Sequence, residues 1–199
     1  MVVKSRQALH SADTRRALVA AARRLWSARG YGAASLDEVC ARAGVTKGAL
    51  YHHFRNKEDL FLAVYAEVEE EFVRAGSAAT DPSADLWDTL GAAGRAFLDV
   101  CARPDTSRIV VEAPVVLGWE RARAVEREHA LGQFEDGLEG AVAAGILDSA
   151  APRVLAQLLS AVFHEAGMIV AASDNDDALR EQVENELDAL FDRMRSHQG

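Results

Sequence analysis

The segment that most constrains the fold of this chain is residues 35–57, which read SLDEVCARAGVTKGALYHHFRNK. Ser35 is a good helix N-cap, and Glu38, three residues later, completes a capping-box pattern. Gly44 follows the first short apolar pattern, and a glycine can take the positive φ that a sharp turn needs. Thr46 is the next candidate N-cap. The segment therefore predicts two short helices joined by a tight turn.

The second short helix combines an apolar face with a face that is small, basic and aromatic. Leu50 and Phe54 lie four residues apart, so both side chains can point inward. The remaining positions are Lys47, Gly48, Ala49, Tyr51, His52 and His53. A helix with such an outer surface, placed behind a tight turn, is suited to enter the major groove of DNA. The pattern favours a helix-turn-helix whose second helix contacts DNA.

This segment resembles the helix-turn-helix of the TetR (tetracycline-repressor-like) family of transcriptional regulators. The resemblance covers roughly the first third of the chain and is specific, because many positions agree in order and spacing. The matching residues are Gly30, Tyr31, Gly32, Leu36, Val39, Ala43, Gly44, Val45, Gly48, Leu50, Tyr51, His53, Phe54, Asn56, Lys57, Glu58 and Leu60. Cys40 stands where the family usually has a small alanine.

The resemblance implies a set of DNA-contacting residues at the two short helices and just after them. They are Ser35, Thr46, Lys47, Gly48, Ala49, Tyr51, His52, His53 and Lys57. Lys47 and His52 would reach base edges or adjacent phosphates, while Tyr51, His53 and Lys57 would hold phosphates. The two small residues would let the backbone approach closely, and the serine would bind a phosphate at a helix N-terminus. His53 has an alternative role as a structural hydrogen-bonding residue.

The charge distribution fits a basic DNA-binding end on an acidic body. The chain has 199 residues and a net charge of −9. Residues 1–57 carry 11 Lys/Arg against 3 Asp/Glu, a net +8, whereas residues 58–199 carry 11 against 28, a net −17. The acidic part should repel DNA and leave one surface to dock. We expect residues 1–57 to form the DNA-binding domain and residues 58–199 the ligand-binding and dimerisation domain, linked by a helix from about 57 to 75.

Helical periodicity continues through the rest of the chain. Only 4 prolines occur and alanine and leucine are abundant, which favours an all-helical protein. A fifth helix should begin near Pro82, and the apolar run that follows it should be a helix broken at Pro114. One long helix should extend from Trp119 to about Ala144, where Gly145 stops it. We therefore expect an all-α, TetR-like fold of about nine helices, with a three-helix head and a helical body.

The last two predicted helices are apolar over wide arcs, which can serve a core and a partner at once. The resemblance implies that they pair with their copies in a four-helix dimer bundle. Leu187 lies on the wide apolar arc of the last helix, so Leu187→Asp is expected to give monomers that no longer bind the operator. A wholly intramolecular core is the alternative. The dimer is favoured because a single short helix reads too few bases for useful specificity. The expected partners are a second copy of this chain and a near-palindromic double-stranded DNA operator.

The resemblance also implies a pocket for a small-molecule effector in the body. The candidate lining residues are Trp87, Phe97, Trp119, His129, Phe134, Phe163, His164 and Met168. Each could instead be an ordinary core residue. The body lacks a basic cluster near these residues, apart from Arg121 and Arg123, so an apolar or weakly cationic effector is expected. A carboxylate such as Glu112 could pair with a cationic ligand.

Other functional classes are less well supported by the sequence. Cys40 and Cys101 belong to no C-x-x-C pair and are expected to be buried thiols. His164 and Glu165 are adjacent but no H-E-x-x-H follows, and the motifs of a nucleophilic enzyme or a phosphate loop are missing. We therefore expect no catalysis, cofactor or metal. No apolar run of membrane-spanning length and no signal peptide were identified, so a cytoplasmic protein without membrane contact is expected.

Three hypotheses about function remain open at this point. The first is a regulator, by family default a repressor, that a small molecule releases from its operator. The second is a constitutive DNA-binding regulator with a filled core, which a cavity in the body would disfavour. The third is a small α-helical enzyme with a DNA-binding head, which paired polar groups converging in a deep cavity would favour.

Overall fold

The computed structural model describes residues 6–81, 83–173 and 176–196, and within these ranges the chain is all-α, with no strand. The ten α-helices are α1 (Arg6–Arg29), α2 (Leu36–Ala43), α3 (Lys47–His53), α4 (Lys57–Ala79), α5 (Leu86–Ala102), α6 (Ser107–Leu117), α7 (Trp119–Glu126), α8 (Gly132–Ala143), α9 (Pro152–Ala171) and α10 (Asp177–Ser196). A π-helical segment, Arg127–Leu131, joins α7 to α8. The predicted fold class is confirmed, and the predicted number of helices is close.

The turn between α2 and α3 forms as the sequence predicts. The Ser35 side chain accepts the Glu38 N–H at 3.2 Å, and the Glu38 carboxylate accepts the Ser35 N–H at 2.8 Å, which completes the capping box. Gly44 caps α2 with a φ of 67°, a conformation that an L-residue with a Cβ rarely adopts. Thr46 Oγ1 then accepts the Ala49 N–H at 3.2 Å and starts α3.

The long helix α4 begins in the head, defined as α1–α3, and continues into the body, defined as α5–α10. Asn56 caps its start by accepting the Asp59 N–H at 2.7 Å. Trp26 of α1 and Phe61 of α4 are fully buried in one hydrophobic core, which also contains Ile109 of α6. This first core runs across residues 57 and 58, so the domain division at that point stays a prediction.

A second hydrophobic core lies inside the body, where α5, α8, α9 and α10 pack together. Leu98, Leu138, Leu159 and Phe191 are among its buried members. Leu187 of α10 belongs to the same core and is only 8% exposed in the single chain. Leu187 therefore packs mainly within its own chain, and its place in a dimer contact stays a prediction.

Two helices start at positions that the sequence reading placed differently. α1 starts at Arg6, whereas the helical periodicity of the sequence predicts a start near Asp13. α5 starts at Leu86, because Asp85 accepts the backbone N–H groups of the first turn at 2.9 and 3.0 Å. Pro82, the expected start of α5, lies outside the described residues.

The predicted break at Pro114 is wrong. Pro114 lies inside α6, which continues to Leu117 and ends at Gly118, where φ is 77°. Ala113 and Leu117 are buried on the inner face of α6, and this packing maintains the helix despite the missing N–H. The long helix predicted after Trp119 has nearly the expected extent but contains the π-helical segment, a feature that periodicity alone does not reveal.

Helix α9 corrects one further expectation. Its 20 residues include an 18-residue window with a mean hydropathy of 1.6, which is long and apolar enough for a membrane span by length and composition alone. The statement that no segment reaches that length is therefore wrong by this criterion. Core helices of soluble proteins meet the same criterion, and 33% of the window is buried within the described chain.

Candidate functional site

The exposed face of α3 presents four of the nine residues that were predicted to contact DNA. Lys47, Gly48, Tyr51 and His52 are exposed and occupy positions i, i+1, i+4 and i+5, so they lie on one side of the helix. Tyr51 is 53% exposed, which is high for an aromatic residue. Leu50, on the opposite side, is fully buried against the head. The short helix is therefore fixed by its apolar side and presents its small, basic and aromatic side outward.

The cation at the start of this face is only weakly restrained. Lys47 Nζ lies 2.7 Å from Asp37 Oδ1 in α2, and both side chains are more than half exposed. The hydrogen bond to Asp37 raises the pKa of Lys47, so the lysine is charged at neutral pH. Exposed ion pairs are weak, so a phosphate or base edge can replace the aspartate as the partner of this lysine.

Three other predicted contacts are partly engaged within the protein. The capping box with Glu38 already uses the hydroxyl and backbone N–H of Ser35. Lys57 Nζ donates to the Tyr31 carbonyl and lies 4.2 Å from the centroid of the Tyr31 ring, and burial lowers the pKa of Lys57. Burial also lowers the pKa of the half-buried His53. A phosphate contact by these residues would require local rearrangement.

Two arginines that the sequence reading did not select lie at the ends of the same motif. Arg42 is exposed in the last turn of α2. Arg55 follows α3, has a side chain that is 84% exposed, and forms an ion pair with Asp59 at 3.2 Å. Their charge was visible in the sequence, but their exposure beside α3 follows from the fold. They add to the positive surface around the exposed face.

The loop between α1 and α2 is held by a carboxylate from the body. Glu112 Oε2, in α6, accepts the Tyr31 N–H at 2.8 Å. A Cβ on Gly30, where φ is 84°, would lie 2.8 Å from the other oxygen of Glu112, so the glycine permits this close approach. Glu112 therefore joins the body to the head, and the expectation that it pairs with a cationic ligand is not supported by its position.

A second polar cluster joins α1 to α4 and to the turn before α6. Arg23 is 12% exposed and forms ion pairs with Glu71 and with Asp105, the latter at 2.9 Å. Its guanidinium also donates to Thr106 Oγ1 at 3.1 Å. The hydrogen bond with Glu71 raises the pKa of Arg23, so the arginine stays charged. Head and body are thus connected by charge pairs as well as by the first core.

The body contains a cavity of about 380 Å³, here called the body cavity. Its walls come from α4, α5, α8 and α9, with contributions from α6, α7 and the π-helical segment. Four of the eight predicted lining residues are on its wall: Phe97, Phe134, Phe163 and His164. Side chains that the prediction missed include Tyr65, Glu69, Phe72, Leu90, Glu126, Leu131 and Leu138. A largely apolar cavity of this size can hold a small organic molecule.

The other four predicted lining residues lie elsewhere. Trp87 is buried in the second core, and Met168 packs against the first core. Trp119 is 60% exposed. His129 lies in a separate cleft of about 270 Å³ between head and body, which also contains His53. Helical spacing identified these residues as large or polar, but it could not identify the space that each one faces.

One end of the body cavity is polar. Glu126 is the centre of the cluster there. Its Oε1 accepts a hydrogen bond from the Tyr65 hydroxyl at 3.2 Å and lies 3.3 Å from His164 Nδ1. Its Oε2 accepts a hydrogen bond from Arg123 at 2.6 Å. Glu69 also lines this end and is only 5% exposed. Burial, followed by the charge of Glu126, raises the pKa of Glu69 to about 8.

Family models match both parts of the chain. A model described as "Bacterial regulatory proteins, tetR family" matches residues 18–64, and one described as "Tetracyclin repressor-like, C-terminal domain" matches residues 87–194, more than half of the chain. The chain belongs to the TetR family of transcriptional regulators. It is therefore a helix-turn-helix, DNA-binding regulator, as the resemblance of residues 35–57 implied.

Individual relatives of this TetR-family chain agree with that assignment. The TetC protein of transposon Tn10 from Escherichia coli is 31% identical over 134 residues, which are 65% of this chain and 66% of TetC. The transcriptional activator FasR of Mycolicibacterium smegmatis is 41% identical over 88 residues, which are 44% of this chain and 40% of FasR. The chain thus matches less than two thirds of the length of these relatives.

A solved structure resembles the whole described fold. The crystal structure of a TetR-family regulator from Pectobacterium atrosepticum has a TM-score of 0.79 and 29% identity, and the match covers 96% of this chain and 97% of that one. These homologues are transcriptional regulators, which are not enzymes.

The body cavity of this TetR-family protein depends on two close contacts between α5 and α9. A Cβ on Gly94 would lie 2.5 Å from Phe163, and a Cβ on Gly167 would lie 2.5 Å from Phe97. Each helix therefore places a phenyl ring against a glycine of the other. Because both rings line the cavity, the glycines help to set its shape. Sequence reasoning missed this role, since the partner of each glycine lies far away in the chain.

The two cysteines of the regulator are free and buried, as predicted. Burial raises the pKa of the Cys40 thiol and raises that of Cys101 well above its usual value. Both are therefore thiols rather than reactive thiolates at neutral pH. In the parts of the chain that the structure describes, no group of three potential ligands could hold a metal ion.

Proposed function

We propose that this regulator is a repressor that binds a near-palindromic DNA operator as a homodimer and is released by a small molecule in the body cavity. The observation that supports the proposal most is the position of α4. Its first turn follows α3 in the head, while Tyr65, Glu69 and Phe72 of the same helix line the cavity. A ligand that displaces these side chains acts on the helix that carries the head.

The DNA-binding part of the proposal rests on the exposed face of α3. Duplexes selected from a random pool by the purified protein should contain an inverted repeat, because two copies of α3 read two half-sites. Tyr51→Ala should weaken binding to the selected duplex in gel shifts while its circular dichroism stays unchanged. An exposed residue of the body, Val115, gives the control substitution Val115→Ala. Selected sites without a repeat would contradict the dimeric reading of the operator.

The homodimer is supported by an unpartnered apolar stripe on α9. Val154, Leu158, Val162 and Ile169 are 55%, 61%, 37% and 40% exposed, whereas Leu159 on the inner side of α9 is 4% exposed. Their spacing places them along one side of the helix. A second copy of α9 would cover the stripe in an isologous contact, and the family resemblance implies this arrangement. The interface would thus use α9 more than the buried side of α10.

The effector is proposed to be an apolar or weakly cationic small molecule. Four phenylalanines and four leucines line the cavity, and none of its described lining residues is a lysine or arginine. The presence of the cavity favours an effector-responsive regulator over a constitutive one with a filled core. The test is a panel of apolar, cationic and anionic compounds, measured by tryptophan fluorescence and by release of the selected duplex. An effector-responsive regulator should respond to some of these compounds, and a constitutive one to none. Release by anionic compounds alone would contradict the proposed class.

The polar end of the cavity also bears on the third hypothesis, an enzyme with a DNA-binding head. His164, Glu126 and Tyr65 converge there as a catalytic site would require. Glu126, however, is already shared between Arg123, Tyr65 and His164, which makes the cluster a rigid binding surface. We therefore assign the cluster to ligand recognition. Recovery of unchanged compound after prolonged incubation with the protein tests this assignment.

We place the regulator in the cytoplasm without membrane association, because its proposed partner is DNA. The apolar stripe of α9 would be covered by the second copy rather than by lipid. Fractionation of cells that produce the protein tests the location. Recovery in the membrane fraction, resistant to high salt, would contradict it.

A further inference from the structure

The body cavity contains a buried carboxyl group that forms no ion pair among the described residues. Glu69 lies on α4, is only 5% exposed, and lines the cavity. The nearby carboxylate Glu126 already pairs with Arg123 at 2.6 Å and lies 3.3 Å from His164. Within the described ranges, no ion pair joins Glu69 to a Lys, Arg or His side chain.

We infer that Glu69 is the specificity-determining residue of the body cavity and that the effector is a hydrophobic monovalent cation whose charge replaces the proton of Glu69. The inference rests on the proposed function, since it names the class of molecule that the cavity binds. A cation with apolar substituents would match both the apolar wall and the carboxylate at its polar end. A buried carboxylate with no partner is costly, whereas a carboxylate paired with a cation is compensated.

The groups around Glu69 act in both directions. Burial and the charge of Glu126, from α7, favour the protonated carboxyl group, whereas the hydrogen bond to Tyr65, from the preceding turn of α4, and the charge of Arg123, from α7, favour the carboxylate. The buried Cys101 thiol of α5 lies close by, and His164 of α9 contacts Glu126. Arg123 donates its hydrogen bond to Glu126, and its charge lowers the pKa of Glu69 by less than burial raises it. Burial raises the pKa of Glu69 to about 8, so the carboxyl group holds a proton at neutral pH when the cavity is empty.

The binding step balances without any further reactant. The cation enters the cavity, the Glu69 carboxyl group releases one proton to solvent, and the carboxylate and the cation form an ion pair. Binding should therefore release close to one proton per protomer at pH 6.5, and the release should disappear at a pH well above 8. Over the same range, the affinity for the cation should increase with pH.

Three probes of similar shape isolate the contribution of charge. They are 1-naphthylmethyl-trimethylammonium, its neutral carbon analogue 1-neopentylnaphthalene, and the anion 1-naphthylacetate. Titration calorimetry of the full-length protein in two buffers of different ionisation enthalpy measures affinity and proton release together. The cation should bind at least about tenfold more tightly than the neutral analogue, because a desolvated charge pair is strong. The anion should bind most weakly.

Two matched substitutions on α4 distinguish Glu69 from any other acidic residue. Glu69→Gln keeps the shape but removes the charge, so the cation should lose at least about tenfold in affinity and proton release should vanish. The neutral analogue should bind the variant unchanged, which shows that the cavity is intact. Glu70→Gln, the same change at the exposed neighbouring residue, should have no effect.

The outcomes separate this inference from the proposed function. Equal binding of the cationic and neutral probes, or cation binding without proton release, would overturn the role of Glu69 but leave an effector cavity. If Glu69→Gln binds the cation as tightly as the unmodified protein does, the role of Glu69 is likewise overturned and the effector cavity remains. Failure of all three probes and of the wider compound panel would contradict both the inference and the effector function.

Discussion

The stripe on α9 gives the sharpest test of how two copies of this regulator associate. Leu158 is 61% exposed in the single chain and lies between Val154 and Val162 on the same side of the helix. If α9 forms the dimer contact, Leu158 becomes buried when the second copy docks. Leu158→Asp should therefore separate the dimer into folded monomers that no longer bind the selected duplex tightly.

The size of the effect follows from the exposed fraction. Full burial of a leucine side chain contributes about 1.5–3 kcal/mol, so covering this exposed part contributes about 1–2 kcal/mol per protomer. An isologous interface contains the residue twice, which doubles that contribution. Burying an ionised carboxylate without a partner costs several kcal/mol more. Leu158→Asp should raise the dissociation constant of the dimer more than about 100-fold, since each 1.4 kcal/mol is tenfold.

Sedimentation equilibrium over a concentration series measures that constant, and circular dichroism confirms that the helices remain. Val115→Asp is the matched control, because Val115 is 86% exposed and lies on α6 rather than on α9. It should leave the dimer unchanged. A Leu158→Asp protein that stays dimeric at the concentrations of the unmodified protein would refute the α9 contact. If Val115→Asp raised the dissociation constant as much as Leu158→Asp does, the effect could not be assigned to the α9 contact.

Three further predictions concern the head, the cavity and pH. Tyr51→Ala should weaken DNA binding, and Lys57→Ala should weaken it similarly for all sequences and reduce the salt dependence by about one counterion in gel shifts. Gly167→Ala should destabilise the protein by about 1–3 kcal/mol in urea unfolding, because its Cβ would lie 2.5 Å from a phenyl ring, whereas Gly140→Ala should stabilise it by about 0.5–1 kcal/mol. Hydrogen bonds from the Ser35 backbone N–H and then from Arg29 lower the pKa of Glu38 to about 2. The Glu38 carboxylate therefore stabilises the fold fully above about pH 4.5, and this contribution is lost as the pH falls through about 2. The difference in melting temperature between the unmodified protein and Glu38→Gln should vanish over the same range.

The local features of the head could be predicted from the sequence because they depend on neighbouring residues. The capping box, the glycine turn and the second N-cap are each decided within four residues, and each forms as expected. The exposed face of α3 could be predicted for the same reason. Once Leu50 and Phe54 were placed inward, the helical period fixed the direction of the other side chains.

The body cavity could be predicted only in part because it depends on contacts between distant helices. Phe97 and Phe163 line it because each ring packs against a glycine in the other helix, and no local pattern reveals that pairing. Glu69 did leave a signal in the sequence, since it lies on α4 between the buried residues Tyr65 and Phe72. A charge on the otherwise apolar inner face of a helix indicates a polar site, and here that site is the end of the cavity.

The contacts between head and body determine how an effector could alter DNA binding. A ligand changes the equilibrium only by its difference in affinity between the DNA-binding and released conformations. In this structure, α4 forms one wall of the cavity, while Glu112 of α6 binds the loop after α1 and Arg23 of α1 binds Glu71 of α4. A displacement of α4 would therefore strain the packing of the first core and the charge pairs together. Because these contacts tie the head to α4 and α6, it should move as a unit with α4, so a small shift at Glu69 would change the separation of the two α3 helices in a dimer.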